Sequence, residues 1–217
     1  MYDINSSLPD GVPSEIQPGT NLLIKSPPMI GKQDLALELL AKGFDDGDGL
    51  LCITTSDSPS VLTESLAQHV ESPDCDQIGI VSCSGRESSH TPDGVDTEFV
   101  SSPSDLTGIS IGTVKILNSF TNQNISLIRH GVLSVSTLQQ YLETQSVFKF
   151  LHIYTSRVSD TDGLGIYTLN SATQNSEVIN TISSEFDGII ELRETAEGSR
   201  EARLTGIPTA SRNWYTY

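Results

Sequence analysis

Residues 20–26 read TNLLIKS, an apolar run held between Pro18-Gly19 and Pro27-Pro28, and the helical pattern KQDLALELLAKGF follows at once from Lys32. A short, uninterrupted apolar run with breakers on both sides is the signature of a strand buried on both faces, because such a strand has no solvated side to alternate with. Leu35, Leu39 and Leu40 share one face of the helix that follows, and Gly43 is placed to end it. A strand feeding directly into a helix returns parallel to itself, through a right-handed crossover that lays the helix on the sheet.

The rest of the chain repeats that unit. GLLCITTSD (49–57) reads as a second strand, SPSVLTESLAQHV as a second helix and QIGIVSCSG (77–85) as a third strand. Residues 86–104, rich in Ser, Pro, Asp and Gly without periodicity, are expected to form a long loop. DLTGISIGTVKILNSF then spaces Leu106, Ile109, Ile111, Val114 and Leu117 helically, NISLIRHGV gives a fourth strand, and SVSTLQQYLETQSVFKFLHIYTSRV a helix in two pieces. GLGIYTLN is a fifth strand and SEVINTISSEF a last helix. GIIELRE and SREARLTGI, joined by a short polar turn, form an antiparallel hairpin at one edge, and 207–217 are a tail. The expectation is one α/β domain spanning 1–217, with a mostly parallel central sheet and helices on both faces. Its ligand crevice should lie beyond the carboxyl ends of the strands, where Ser26 and Asp57 emerge.

Charge narrows the function classes. The formal net charge is -16, and lysine occurs only at positions 25, 32, 42, 115 and 149. The 12 basic residues are scattered rather than clustered, which argues against a nucleic-acid or anionic-membrane surface. The acidic excess with few lysines suggests the cytoplasm of a salt-loving microbe. Cys52, Cys75 and Cys83 are odd in number and lack C-x-x-C spacing, so free thiols are expected rather than a disulfide framework or a zinc site. The first residues lack a basic stretch and an apolar run, and nothing approaches the ~20 apolar residues of a membrane span, so a cytoplasmic protein is expected.

The turn SPPMIGKQ sets Gly31 and Lys32 where the phosphate-binding pattern G-x-x-x-x-G-K-[ST] has them. From LPDGVPSEIQPGTNLLIKSPPMIGKQDLALELLAKGFDDGDGLLCITTSDSP onward the chain resembles the RecA-like ATPases of the KaiC and Rad-type archaeal group. The later stretch GVLSVSTLQQYLETQSVFKFLHIYTSRVSDTDGLGIYTLN resembles the corresponding part of single-domain haloarchaeal members. The resemblance covers nearly the whole chain. It implies a RecA-like fold, and a site that in active relatives takes ATP and Mg²⁺.

Residue by residue, that site is degraded. A phosphate cradle needs consecutive backbone N–H groups, a lysine, and a hydroxyl for Mg²⁺. Here Ser26 stands at the first glycine position, Pro27 and Pro28 have no N–H, and Gln33 replaces the hydroxyl. The resemblance further implies an acidic pair after the second strand, where the chain has Ser56 and Asp57, and an aspartate after the fourth, where it has Leu133. A leucine neither accepts a hydrogen bond nor ligates a metal. His130, three residues earlier, reads as a strand histidine rather than a replacement ligand. SCSGRESSH and the DDGDG turn (45–49) lack the contexts of a nucleophile elbow and a calcium loop.

Hydrolysis is therefore not expected, no cofactor is expected, and the catalytic set is empty apart from a vestigial Asp57. Gly31, Lys32, Ser26 and Gln33 remain as a vestigial phosphate loop. The favoured expectation is a regulatory or scaffolding domain that meets a partner protein or its own copy. The alternatives are an ATP-binding switch, with ATP and Mg²⁺ as cofactors, and a DNA-recombination accessory. IPTASRNWYTY carries the single Trp, and its aromatics could anchor an interface or pack on their own domain.

Overall fold

A computed structural model describes the chain except for residues 5–7, 10–11, 72, 86–90, 173–174, 209 and 217. Two short N-terminal strands, β1 (Tyr2–Asp3) and β2 (Glu15–Ile16), pair antiparallel. The main sheet is built from β3 (Asn21–Ser26), β4 (Gly49–Thr54), β5 (Ile78–Ser82), β6 (Asp96–Phe99), β7 (Ile128–Val132), β8 (Leu164–Asn170), β9 (Gly188–Glu194), β10 (Arg200–Thr205) and β11 (Tyr215–Thr216). Among the described residues its nine strands run in the order β11-β10-β9-β3-β8-β7-β4-β5-β6. From β9 to β6 every pairing is parallel, and β10 and β11 add on antiparallel.

Among the described residues six α-helices cover the sheet: α1 (Lys32–Ala41), α2 (Pro59–Leu66), α3 (Leu106–Asn122), α4 (Val135–Tyr141), α5 (Thr144–Asp160) and α6 (Ser176–Ser183). The apolar core falls into two layers. One packs α1, α2 and the N-terminal segment against Ile24, Cys52, Ile80 and Ile190. The other packs α3 to α6 against Leu23, Leu51, Val81 and Tyr167. Neighbouring residues of one strand enter opposite layers, which is why β3 and β4 read as continuous rather than alternating apolar runs. Among the described residues no helix is long and apolar enough to cross a membrane.

Three local expectations need correction. Within the expected loop 86–104, residues 86–90 lie outside the described residues, while Asp96–Phe99 form β6, an edge strand registered on β5. Its residues are all half-buried, so it carries no apolar signal, and the strand exists because β5 and α3 offer it hydrogen bonds and a Lys115–Glu98 pair. On α3 the buried face is Ile109, Gly112, Thr113, Ile116 and Phe120, which leaves Ile111 53% exposed. Small residues at 112 and 113 set that face, letting the helix approach Val81 closely. Gly43 is not a left-handed cap, for Lys42 ends α1 and Gly43 has φ −68°. A Cβ there would lie 2.6 Å from Nε of Arg129. The tail also joins the sheet: β11 pairs with β10, and the Trp214 ring sits 4.0 Å from the Arg193 guanidinium and 4.4 Å from that of Arg203.

Arg129, on β7, is 1% exposed and ties distant segments together. Its Nε donates to Asp48 Oδ2 at 3.0 Å, and its Nη1 donates to the Leu39 carbonyl at 2.8 Å and the Asp3 carbonyl at 3.4 Å. The Tyr2 ring lies 5.1 Å from the guanidinium. Burial pushes the Asp48 carboxyl up, and the Arg129 bond pulls it back toward ionisation. Removing one member of such a pair strands the other charge in the core. Asp48→Ala is expected to lower unfolding free energy by about 3–5 kcal/mol in urea denaturation, and an effect below about 1 kcal/mol would show that the pair does not anchor the fold.

Candidate functional site

The crossover from β3 through α1 lands on β4, leaving room that β8 and β7 later fill, so the chain reverses direction across the sheet beside β3. Doubly wound sheets open their crevice at such a switch point, outside the carboxyl ends of the strands. A cleft of about 210 Å³ lies there, lined among others by Lys32, Gln33, Ser56, Leu133, Ser136 and Thr168. Lys32 and Gln33 begin α1, Ser56 follows β4, Leu133 follows β7, and Thr168 lies near the end of β8. Lys32, Gln33, Ser56 and Leu133 thus meet at one cleft, whereas Ser26, Gly31 and Asp57 are not part of its lining.

The turn from β3 to α1 is held open by backbone geometry. Met29 has φ +65° and Gly31 φ +86°, so the chain passes twice through the left-handed region before the helix starts. Pro27, Pro28 and Met29 face solvent, with Met29 94% exposed, while Ile30 tucks into the core. The Ser26 hydroxyl donates to the Pro27 carbonyl at 2.7 Å, and is spent on its own turn. No side chain caps α1, so the helix presents its first N–H groups and the positive end of its dipole.

Two features of the charge pattern stand out. Gln33 Nε2 donates to Asp57 Oδ2 at 2.7 Å, so the surviving carboxylate is held by an amide. Asp57 is fixed further by its own backbone, whose N–H donates to Thr54 Oγ1 at 3.0 Å and whose carbonyl accepts from that hydroxyl at 3.2 Å. Lys32 makes no ion pair among the described residues, and desolvation lowers its ammonium below the usual lysine range. Opposite them, Leu133 is 6% exposed and packs into the core layer beneath α1.

This arrangement fits a magnesium–nucleotide group poorly. Magnesium takes oxygen ligands in near-octahedral array. Here an amide nitrogen donates to one oxygen of Asp57, and a methyl-bearing side chain, Leu133, stands at the second position. Among the described residues no group of three or more His, Cys, Asp and Glu side chains could hold a metal.

The other candidates resolve into structure. His130 is fully buried in the middle of β7, its Nδ1 3.2 Å from the Tyr154 hydroxyl and its ring edge-on to that tyrosine, and it is not part of the cleft lining. Cys52 and Cys83 are buried free thiols pushed up to about 12 by desolvation, and Cys75 is half-buried. The segment from Arg86 to His90 of SCSGRESSH lies outside the described residues. Sequence reasoning missed two residues at the site. Arg200 starts β10 at a hairpin tip that looked merely solvated, yet a Cβ on Gly31 would lie 3.4 Å from its Nη1. Thr168 sits inside an apolar run, and only the sheet register, which sets it beside Ile24 of β3, brings it into the cleft.

Comparison with known proteins follows the same lines. A family model described as a family of unknown function, DUF7504, matches residues 19–192. No curated protein matches the chain. Among solved structures, the crystal structure of a KaiC-like protein from Pyrococcus horikoshii OT3, a hyperthermophilic archaeon, superposes with a TM-score of 0.67 at 15% identity, covering 98% of this chain and 92% of that one. The fold is thus the RecA-like fold of KaiC-like proteins.

Burial, reinforced by the nearby Arg157 charge, lowers His130 to about 3, so it stays neutral in the native state. The unfolded chain takes up that proton near pH ~6.5 and the native chain does not, so this contribution to stability is complete above ~6.5 and declines as pH falls toward 3. Between pH 6.5 and 5 the expected loss is about 2 kcal/mol. Urea denaturation of wild type and His130→Gln checks it: the variant should lose this part of the pH dependence, and parallel curves would contradict it.

Proposed function

The chain belongs to the family of unknown function DUF7504, and we propose that it is a RecA/KaiC-like domain that does not hydrolyse ATP and serves as a regulatory or scaffolding module for protein interaction. The observation that carries this reading is the 2.7 Å hydrogen bond from Gln33 to Asp57. In a working site of this fold those two positions would serve metal and water. Here they satisfy each other, and Leu133 withdraws the remaining carboxylate position. Losing one group that stabilises a transition state costs about 10²–10³ in rate, and this chain has lost several.

What supports the interaction half of the reading is what the fold has kept. The two-layer core is intact, while apolar side chains face solvent at the turn tip (Met29) and along α3 (Ile111 and Val114). The Trp214 contacts with Arg193 and Arg203 favour self-packing of the tail over a role as the interface anchor. The acidic composition, with a net charge of -16, fits a haloarchaeal cytoplasm.

The test is an ATP turnover assay at molar KCl with Mg²⁺. Phosphate release is expected to match the buffer control and to be unchanged in Lys32→Ala. Mg²⁺-dependent turnover that disappears in Lys32→Ala would overturn the reading.

A further inference from the structure

We infer that the outer face of α3 and α5 is a self-association surface, through which two copies of this chain meet about a two-fold axis with Ile111, Val114 and Ile153 at the contact. The inference rests on the interaction half of the reading above and names the partner as a second copy of the chain.

The observation that carries it is the uneven placement of charge. Residues 106–159, which run from α3 through α5, hold one of the chain's 28 acidic residues, Glu143. The carboxylates that give the net charge of -16 lie elsewhere, among them Asp34, Glu38, Asp45 and Glu64 on and around α1 and α2. Nor is the α3–α5 face basic, for Lys115 pairs with Glu98 at 2.8 Å and His152 with Glu185 at 2.9 Å. It is the near-neutral side of an acidic molecule. Five of the eight large apolar side chains that face solvent among the described residues fall in this stretch. Ile111, Val114 and Ile153 stand on the helices, Leu127 follows α3 and Tyr141 precedes α5. Exposed apolar side chains gathered where charge is missing have the composition of an interface core.

Helix geometry brings these side chains into one strip. Successive residues of a helix point about 100° apart. Lys115 leans to the β6 edge, where Glu98 takes it, and this turns Val114 the other way, toward α5. On α5, His152 leans to Glu185 just past α6, and this turns Ile153 toward α3. Both helices have 17 residues and both return from the carboxyl ends of the parallel strands, so Val114 and Ile153, each near the middle of its helix, stand at one level. Ile111 is one turn from Val114 on the same outer side. Charge and size then select the occupant. A polyanion needs clustered free cations, which this face lacks. Two copies that approach by other sides bring carboxylates together, whereas this face opposes almost none, and each copy supplies it. Two such helices, each about 25 Å long and about 10 Å from its neighbour, present a corrugated face of about 25 by 20 Å. Extended by Tyr141 and Leu127 at its ends, it approaches the ~800 Å² per partner of a stable interface. A closed two-fold contact covers the strip on both copies, so association stops at the dimer.

The test is the molar mass of the full chain in solution, read by light scattering after gel filtration and by sedimentation equilibrium. At molar KCl, where the Debye length is about 3 Å, the expected mass is twice the 23.4 kDa of the chain. At about 0.1 M KCl the screening length grows to ~10 Å, the two acidic bodies repel, and the dimer Kd is expected to weaken at least tenfold. A contact made of ion pairs would respond to salt in the opposite sense. Ile111→Glu and Ile153→Glu, both at solvent-facing positions, are each expected to weaken the dimer at least tenfold at molar KCl. Ile153→Ser, which adds no charge, is expected to weaken it a few-fold, and the urea midpoint measured on the monomer should stay that of wild type in all three. Val61→Glu, at an exposed position on α2 in the other layer, should leave the Kd unchanged. A monomer at molar KCl, a dimer that survives both Ile111→Glu and Ile153→Glu, an association that loosens as salt rises, or an assembly larger than two would overturn the inference. A monomer without ATP turnover sinks the dimer alone, whereas turnover sinks the non-hydrolysing reading and leaves the dimer, so the two failures are distinguishable.

Discussion

Parallel strands cannot be joined by a tight turn, and in this chain the first long crossover decides where everything else goes. β3 leads through α1 to β4, and the space between them is filled only when β7 and β8 return. That reversal leaves a crevice at the carboxyl end of β3, with the start of α1 aimed at it. The geometry is inherited from the topology, so it persists whatever residues line it. It is held from below by Arg129, which fastens β7 to the end of α1, the turn before β4 and the N-terminal segment. A rigid scaffold of this kind allows the lining to change without the fold collapsing.

What distinguishes the lining is its charge chemistry. The Gln33 amide occupies one oxygen of the Asp57 carboxylate, so a metal or a water taking that oxygen in the same place would have to displace the amide. Leu133 extends the apolar layer under α1 up to the floor of the crevice. Lys32 makes no ion pair among the described residues and Arg200 stands beyond Gly31, so the start of α1 is positive in character.

Much of this was legible in the chain itself, and the reasons are local. β3, β4 and β8 announce themselves as apolar runs because both faces of the sheet are buried, and the turn 27–31 is marked by prolines and glycine. The positions Gln33, Ser56 and Leu133 could be placed because they follow strands whose ends are sharply punctuated. Other features arise only from tertiary contact. β6 is polar enough to pass for a loop and becomes a strand by pairing with β5. The role of Asp48 in the DDGDG turn depends on a guanidinium 81 positions away, and that of Gly43 on the room the same guanidinium needs. Thr168 and Arg200 reach the site through sheet register and hairpin length, neither of which has a signature in the residues themselves.

The central claim is that Gln33 and Asp57 close the metal position between them. It is tested most directly by a crystal structure grown with Mg²⁺ and a non-hydrolysable ATP analogue at millimolar concentration. The Gln33 amide should still donate to Asp57, with no metal ion between the start of α1 and the end of β4. A metal ion bound there, with the amide swung away and Asp57 turned toward it, would contradict the account.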